Sequence, residues 1–539
     1  MRPRAPAGPP RPRDFEAAIA RIERSDSGSP AALNARIDFA GFLIGAATGP
    51  SCRQRLIRAQ EQIGRVGASA KRRVLYPHGS ALVADLEYRE DLALAACGSR
   101  AGRRAELYAA VAAERRAVML YRSEFANRSM VIMQFDVAVA LHRLAEKSAA
   151  LAALRTALRM DREFGLRGDA RQNEQVLLRW RGEPAGPAQI AAIMRHFPQR
   201  SATLKFDWHP SDARTTVESH RVCLVGGQLV RSRAAATFER RISAGHGGAW
   251  QVSYTQRLKR YQPGVWPLDP NSRTPWLPFA PTQPTAVNFK VSANGEFQRV
   301  TGLRHFSARL TARTDELVRE SVPADDNSSG TLNAQAASTA LDLSPGLLEA
   351  ATAERYRLET SMWIGATLKL GVWYRMSAPL SLPGLQRCVV EQHITFAFTR
   401  RVPCAAGEAA RRCIEIVLHV TPEKKELSPL LADIRYLLAG IGPRYFGRQF
   451  FHYDASITAR IVIDPATLLP CSREERIDWY ASAGTHKADS ILQADHVIAT
   501  TRYGTPRARP QAPAAQSAHA ASPLTPRESV RPGDSAVAQ

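Results

Sequence analysis

Residues 130–161 read MVIMQFDVAVALHRLAEKSAALAALRTALRMD. Small residues stand at Ala138, Ala145, Ala150 and Ala157, with Leu141 and Leu154 between them. Apolar residues three and four apart share one face of a helix, and alanine on that face lets two backbones approach closely. The stretch predicts two short antiparallel helices, packed small face to small face through Ala138, Leu141, Ala150, Leu154 and Ala157. Helical spacing extends upstream. Phe15, Ala18, Ile19 and Ile22 share a face, as do Leu56, Ala59, Ile63 and Val66. Phe39 to Gly49 is apolar but shorter than the ~18 residues a membrane span needs, so it reads as buried helix. Pro77 and Gly79 precede a further helix, and Gly98 and Gly102 separate that one from a helix starting near Arg104.

After residue 200 the period changes to two. Leu204, Phe206 and Trp208 alternate, then Trp250, Val252 and Tyr254, then Val287, Phe289 and Val291. The last group runs into Asn294-Gly295 and Phe297, a strong hairpin signal. Further alternation marks Leu368, Leu370, Val372 and Tyr374, Ile394 to Phe398, Ile414 to Val420, and Ile457 to Ile463. One apolar and one wet face per strand predicts an antiparallel sheet. Helices are expected to interrupt it near Ser307–Glu320, Pro345–Leu358 and Lys424–Leu438. The predicted fold class is therefore α+β, an N-terminal helical domain followed by an antiparallel β-rich region with a few covering helices. The expected boundaries are a disordered arm at 1–13, the helical domain at 14–182 and a connector at 183–200. They continue with a β lobe at 201–322, a linker at 323–340, a β lobe with helices at 341–505 and a disordered tail at 506–539.

The 73 Lys and Arg against 50 Asp and Glu leave a net charge of +23. That charge predicts attraction to polyanions. Its alternative is solvated faces carrying Arg in place of Lys, because no basic cluster is interleaved with aromatics as a nucleic-acid platform would be. Sequence-specific nucleic-acid binding is not expected. The opening Met1–Arg13 has no apolar core, so the chain as written is expected to carry no export signal.

The seven cysteines include no Cys-x-x-Cys pair. Cys404 and Cys413 flank a polar loop between two strand patterns, a placement within disulfide reach. Cys52 and Cys97 sit near helix ends and could tie two helices together. Two bridges would favour an oxidising compartment such as the periplasm or cell envelope; buried thiols are the alternative. Zincin, P-loop, dinucleotide and nucleophile-elbow motifs are absent. No catalytic residue, cofactor or metal site is expected. Asp26-Ser27-Gly28 lacks the apolar flanks of an aspartic-protease strand. His486, Asp489, Asp495 and His496 are metal-ligand types in a solvated stretch, and Glu391 and His393 read as a polar strand face. Trp208, Trp250, Trp363 and Trp373 are candidates for lining an apolar ligand site, against the simpler reading as core.

The helical pair resembles a tetratricopeptide repeat. Ala138, Ala150 and Ala157 match that family's small positions, Leu141 and Leu154 its large ones, and Ala157 to Asp161 its helix ending. Gln134 and Arg162 depart from the usual aromatic and proline. One repeat, at 131–161, matches well, within a module spanning about 104–181. The resemblance implies a helical stack that contacts another protein. The turn Asp464-Pro465-Ala466-Thr467-Leu468-Leu469-Pro470 is similar to turns of bacterial envelope proteins with open lipoprotein-carrier-like β-folds, which implies a lipid or other apolar ligand. The expected function is a non-catalytic binding or scaffold protein. Non-specific nucleic-acid binding and an unrecognised hydrolase are the alternatives.

Overall fold

The computed structural model describes residues 11–26, 30–72, 77–97, 100–197, 200–225, 228–262, 285–304, 345–383, 385–405, 412–423, 452–482 and 490–503, with a few isolated positions. The expected arm, linker and tail, and the helices expected at Ser307–Glu320 and Lys424–Leu438, lie wholly or almost wholly outside these residues. The chain divides into two compact units, the first essentially residues 1–199 and the second beginning at Arg200.

The first unit is helical. Its elements are α1 (Pro12–Asp26), α2 (Pro30–Gly45), α3 (Cys52–Arg72), α4 (Pro77–Cys97), α5 (Arg100–Ser123), α6 (Asn127–Arg143), α7 (Lys147–Phe164), α8 (Arg167–Arg181) and α9 (Pro187–Arg195). The apolar faces predicted along the sequence are its interior: Leu56, Ala59, Ile63 and Val66 of α3 are all buried, as are Phe39 and Leu43 of α2. Gly102 does not end a helix. It lies on an exposed face inside α5, where glycine costs about 1 kcal/mol against alanine without breaking the ladder.

The helical pair is α6 and α7. Ala138, Ala150, Leu154 and Ala157 are fully buried and Leu141 nearly so. Ala145 is different. It sits in the break between the helices with φ 63°, and Phe125 and Gly165 occupy the two neighbouring breaks at 59° and 71°. These left-handed residues recur at equal spacing (145 − 125 = 165 − 145 = 20). A helical pair here therefore takes twice that length, longer than the ~34 residues of a tetratricopeptide.

The second unit contains an eleven-stranded antiparallel sheet and a two-stranded ribbon. The strands are β1 (Ser201–Thr203), β2 (Ser211–Val225), β3 (Gln228–Ala244), β4 (Trp250–Gln262), β5 (Thr285–Val291), β6 (Phe297–Thr301), β7 (Thr367–Lys369), β8 (Trp373–Leu382), β9 (Leu385–Val402), β10 (Cys413–Pro422), β11 (His452–Ile463), β12 (Pro470–Ser482) and β13 (Ser490–Tyr503). The spatial order is β6-β5-β4-β3-β2-β13-β12-β11-β10-β9-β8, and β1 pairs with β7 in the ribbon. The strands of the two expected β lobes thus share one sheet, joined where β2 meets β13.

Two alternations mark extended chain rather than one ladder strand. Leu204, Phe206 and Trp208 follow β1 outside the sheet, where Leu204 N–H donates to Ala366 O and Lys205 N–H to Pro465 O. Leu368 to Tyr374 is broken by Gly371 at φ 74° and feeds the ribbon and then the sheet. The Asn294-Gly295 hairpin joins β5 to β6. Gly295 has φ 89°, and a Cβ there would lie 2.8 Å from the Phe206 ring, so glycine is required twice over.

Helix α10 (Pro345–Glu359) covers the apolar face. It reaches both edges of the sheet. The Glu349 carboxylate accepts from Val300 N–H of β6 at 2.9 Å, and the Glu354 carboxylate accepts from Ser381 N–H of β8 at 3.0 Å. Those glutamates are about 7.5 Å apart along a helix. Flat, the edges of eleven strands would stand about 48 Å apart. The sheet is therefore strongly curled, with α10 along the seam where a barrel would close. Tyr356 O–H adds a bond to Gly295 O at 2.9 Å.

The helical contact gives a direct test. Ala150→Leu adds bulk at a fully buried position, and overpacking of that kind costs about 1–3 kcal/mol. The helical transition followed by far-UV circular dichroism should fall to lower temperature. An unchanged transition would place Ala150 away from any tight contact.

Candidate functional site

Beneath α10 the curled sheet is incompletely filled. A cavity of about 290 Å³ is lined by Thr215 and Val217 of β2, Phe238 and Arg240 of β3, and Tyr254 of β4, with Phe289 of β5. Pro470, Ser472 and Arg473 of β12 and Ala499 and Thr501 of β13 add to the sheet side, and Ala351, Thr352, Arg355, Tyr356 and Glu359 of α10 form the roof. Register explains the grouping. Thr501 is opposite Thr215, Thr215 opposite Phe238, and Arg240 opposite Tyr254. Side chains across adjacent strands fall in rows on one face, so one row crosses the β2–β13 junction. The hydroxyls of Thr215 and Thr501 are hydrogen-bonded at 2.9 Å. Apolar clusters flank the cavity: Trp208, Ile242, Val252 and Phe289 on the β6 side, Phe396, Ile416 and Ile461 on the β8 side.

Charge enters through three arginines and one glutamate of the lining, a net of 3 − 1 = +2. Glu359 accepts from Arg473 at 2.7 Å and Arg355 at 2.9 Å. Burial alone would raise the Glu359 pKa, but the two guanidiniums outweigh it and hold the carboxyl down at about 2. Arg473 also pairs with Glu475. Arg240 is only 5% exposed. Its guanidinium lies 5.3 Å from the Trp208 ring centroid and 5.5 Å from that of Tyr254, a cation held by two aromatic faces. Its Nη1 donates to Tyr503 O–H at 3.1 Å, and its Nε is buried with no hydrogen-bond acceptor.

The residues singled out in the sequence are placed as follows. Disulfides join Cys52 to Cys97, tying the start of α3 to the end of α4, and Cys404 to Cys413 beside the β9–β10 hairpin. Cys471 was not singled out, yet its Sγ lies 3.7 Å from that of Cys413, and the three sulfurs of Cys404, Cys413 and Cys471 lie within 4.8 Å of one another. A third sulfur so placed can exchange with the bridge, and all three reduced would make a soft-metal donor set. None of the four tryptophans lines the cavity. Trp208 and Trp363 are fully buried core, Trp363 in a 3-10 turn with its indole N–H on Leu358 O at 2.8 Å. Trp250 packs at the edge of Trp208, and Trp373 stacks on His419 on the opposite face of β8 from Tyr374. Asp495 pairs with Arg221 and His496 meets Glu474 at 3.0 Å, so both belong to cross-strand polar ladders. His486, Asp489, Ser27 and Gly28 lie outside the described residues, and Asp26 ends α1. His393 meets Ser377 Oγ at 3.1 Å, and Glu391, two positions before it on β9, lies in that strand with it.

Sequence reading missed the cavity because β2 and β3 carry charged and small residues where apolar alternation was sought. The available signal was the period-two set Phe238, Arg240 and Ile242. An arginine in an inward register position marks a strand face that is not pure core.

The helical unit holds a separate group of buried acids. Glu114 of α5 is 0% exposed and neither carboxyl oxygen has a partner. Burial first, then the charges of Asp136 and Asp85, push its pKa up to about 10, with Arg89 opposing. Burial and Asp85 raise Asp136 to about 7. These acids are therefore protonated where ordinary carboxyls are not.

Two measurements follow. Glu359→Gln leaves Arg473 and Arg355 short of a counter-charge; breaking a buried pair costs about 3 kcal/mol or more, read as a lower urea midpoint by Trp fluorescence. Because its folded pKa is depressed, the Glu359 contribution is full above about 4.5 and is lost as pH falls toward about 2. Glu114 has the opposite sign. Its raised pKa makes the helical unit lose stability as pH climbs from about 4.5 toward about 10. Glu114→Gln should raise the helical Tm at pH 8, by roughly 2–4 °C per kcal/mol, and leave it little changed at pH 4. Equal pH slopes in wild type and variant would mean that Glu114 is not held protonated.

No family model matches the chain and no curated protein matches it. A solved structure described as "Lipid-protein interactions in lipovitellin" is similar over 60% of this chain and 27% of that chain, at 10% sequence identity and a TM-score of 0.28. The chain thus spans about a quarter of that protein's length.

Proposed function

We propose that this chain is a non-catalytic binding protein whose β unit holds an apolar, lipid-like ligand beneath α10. The observation that carries the reading is the unfilled interior. Packed cores leave few voids larger than a water molecule, whereas a cavity of about 290 Å³, partly open to solvent, remains between α10 and strands from both halves of the sheet. Its walls combine Val217, Phe238, Phe289 and Tyr356 with threonine hydroxyls and the charges of Arg240, Arg473 and Glu359, apolar surface and orienting polar groups together, as small-molecule sites have. In this reading the helical unit makes protein contacts, as the tetratricopeptide resemblance implies. Met119 and Ile57, 62% and 52% exposed, are apolar side chains available for it. The two disulfides support an oxidising compartment such as the cell envelope. Among the described residues no helix is long and apolar enough to cross a membrane.

A second reading rests on the charge of +23, which suits non-specific attraction to nucleic acid. Native mass spectrometry of protein from its own host separates the two. The expected spectrum shows the chain plus one small molecule that organic solvent removes. Protein that arrives bare and takes up no N-phenyl-1-naphthylamine would sink the cavity reading. Nucleic acid that co-purifies and leaves in high salt would favour the second.

A further inference from the structure

The cavity contains a cation with no carboxylate at ion-pairing distance among the described residues, although Glu359 lies near enough to act on it through space. Glu359 is engaged by Arg473 and Arg355, and Arg473 has Glu475 as well. Arg240 has neither. Among the described residues no carboxylate lies within ion-pairing distance of it, and its one hydrogen bond, from Nη1, goes to a neutral phenol. A buried guanidinium is costly unless it is paired. Stacking on Trp208 and Tyr254 offsets part of that cost.

The atoms left over are informative. With Nη1 turned to Tyr503 and Nε closed off without an acceptor, Nη2 is the guanidinium nitrogen left for a ligand in the cavity that Arg240 lines. Its N–H groups belong to a cation, and a hydrogen bond from a cation to a carboxylate oxygen is of the strong, charge-assisted kind. Around it the lining is mostly apolar, with Val217, Phe238, Phe289 and Ala351 available to a chain. Resting on the cavity reading above, we propose that the ligand is a single-chain amphiphile with a carboxylate head, and that Arg240 is the residue that binds the head while the chain lies beneath α10. One open cation matches one negative charge, and the remaining arginines already have their carboxylates.

Decanoate and 1-decanol are probes of nearly equal length that differ in head charge. Calorimetric titration of the full chain at pH 8, stripped of any bound ligand, measures each. Hydrogen bonds to a charged group give a preference for the acid of about 10-fold or more in wild type. Arg240→Met keeps an unbranched side chain between the two aromatic rings. It should lose the preference, bringing the affinities for acid and alcohol to within about 2-fold of each other. Wild type that binds acid and alcohol alike, or prefers the alcohol, overturns the carboxylate assignment and leaves the cavity reading standing. A folded Arg240→Met that still prefers the acid removes Arg240 from the role. Binding of neither probe by wild type removes the cavity reading itself. The wild-type comparison needs no substitution, so it decides the head-group question even where the variant does not fold.

Discussion

Glu349 and Glu354 each accept a hydrogen bond from the backbone of a different edge strand, and they stand a turn and a half apart on α10. Much of the β unit follows from that constraint. An edge strand presents unpaired N–H groups, and here one helix satisfies a group on each edge. It can do so only if the sheet curls until β6 and β8 approach each other. Curling turns one face inward, and that face is where the apolar side chains of β8 to β11 collect. A helix fills less of a curled interior than another sheet layer would. The space left over is the cavity, and it lies where β2, β13 and β12 pass beneath α10. Pro379 fits the same logic. It lies in β8, an edge strand, where proline removes no ladder bond from a neighbour.

The two units handle buried charge differently: the buried charged residues of the helices are acids, whereas the β unit buries Arg240 along with Glu415 and Glu475. In the helices, Asp85 pairs with Arg89 at 3.0 Å, while burial and their neighbours' charges keep Glu114 protonated at neutral pH and Asp136 about half so. A carboxyl can escape burial by taking up a proton. A guanidinium has no such escape, since its pKa lies above any physiological range. Arg240 must therefore be accommodated as a cation, by aromatic faces and by the Tyr503 oxygen. Glu359 shows the alternative solution in the same cavity, a carboxylate kept ionised by two guanidiniums.

Much of the fold class was legible because the signals were local. The buried face of α3 repeats every three to four residues, and Ile457, Ala459, Ile461 and Ile463 alternate along β11 exactly where one face is core. Asn294-Gly295 announced a hairpin through backbone chemistry alone. What was not legible depended on distant partners. Leu204, Phe206 and Trp208 alternate like a strand, yet they bury against residues distant in the chain, Ala366 for Leu204 and Trp250 and Tyr356 for Trp208, without joining a ladder. The tryptophans drew attention by size, and Trp208 and Trp363 are core. The cavity was hidden because its wall comes from strands with polar sequences, brought under α10 by the order β2 to β13. No local pattern encodes that order.

The same order has a consequence for synthesis. Thr215 and Thr501 touch across the centre of the sheet, yet they are 286 positions apart in the chain. At about 5–20 residues per second, β2 leaves the ribosome roughly 15–60 s before its partner exists. Through that interval β2 is an edge, open to any strand that meets it. Asp212, Arg214, Glu218 and Arg221 are spaced along it, and charges on an edge discourage the wrong neighbour. Arg221 is later taken up by Asp495 of the arriving strand. The polarity that made β2 hard to recognise as the middle of a sheet suits a strand that must first spend its time at the margin.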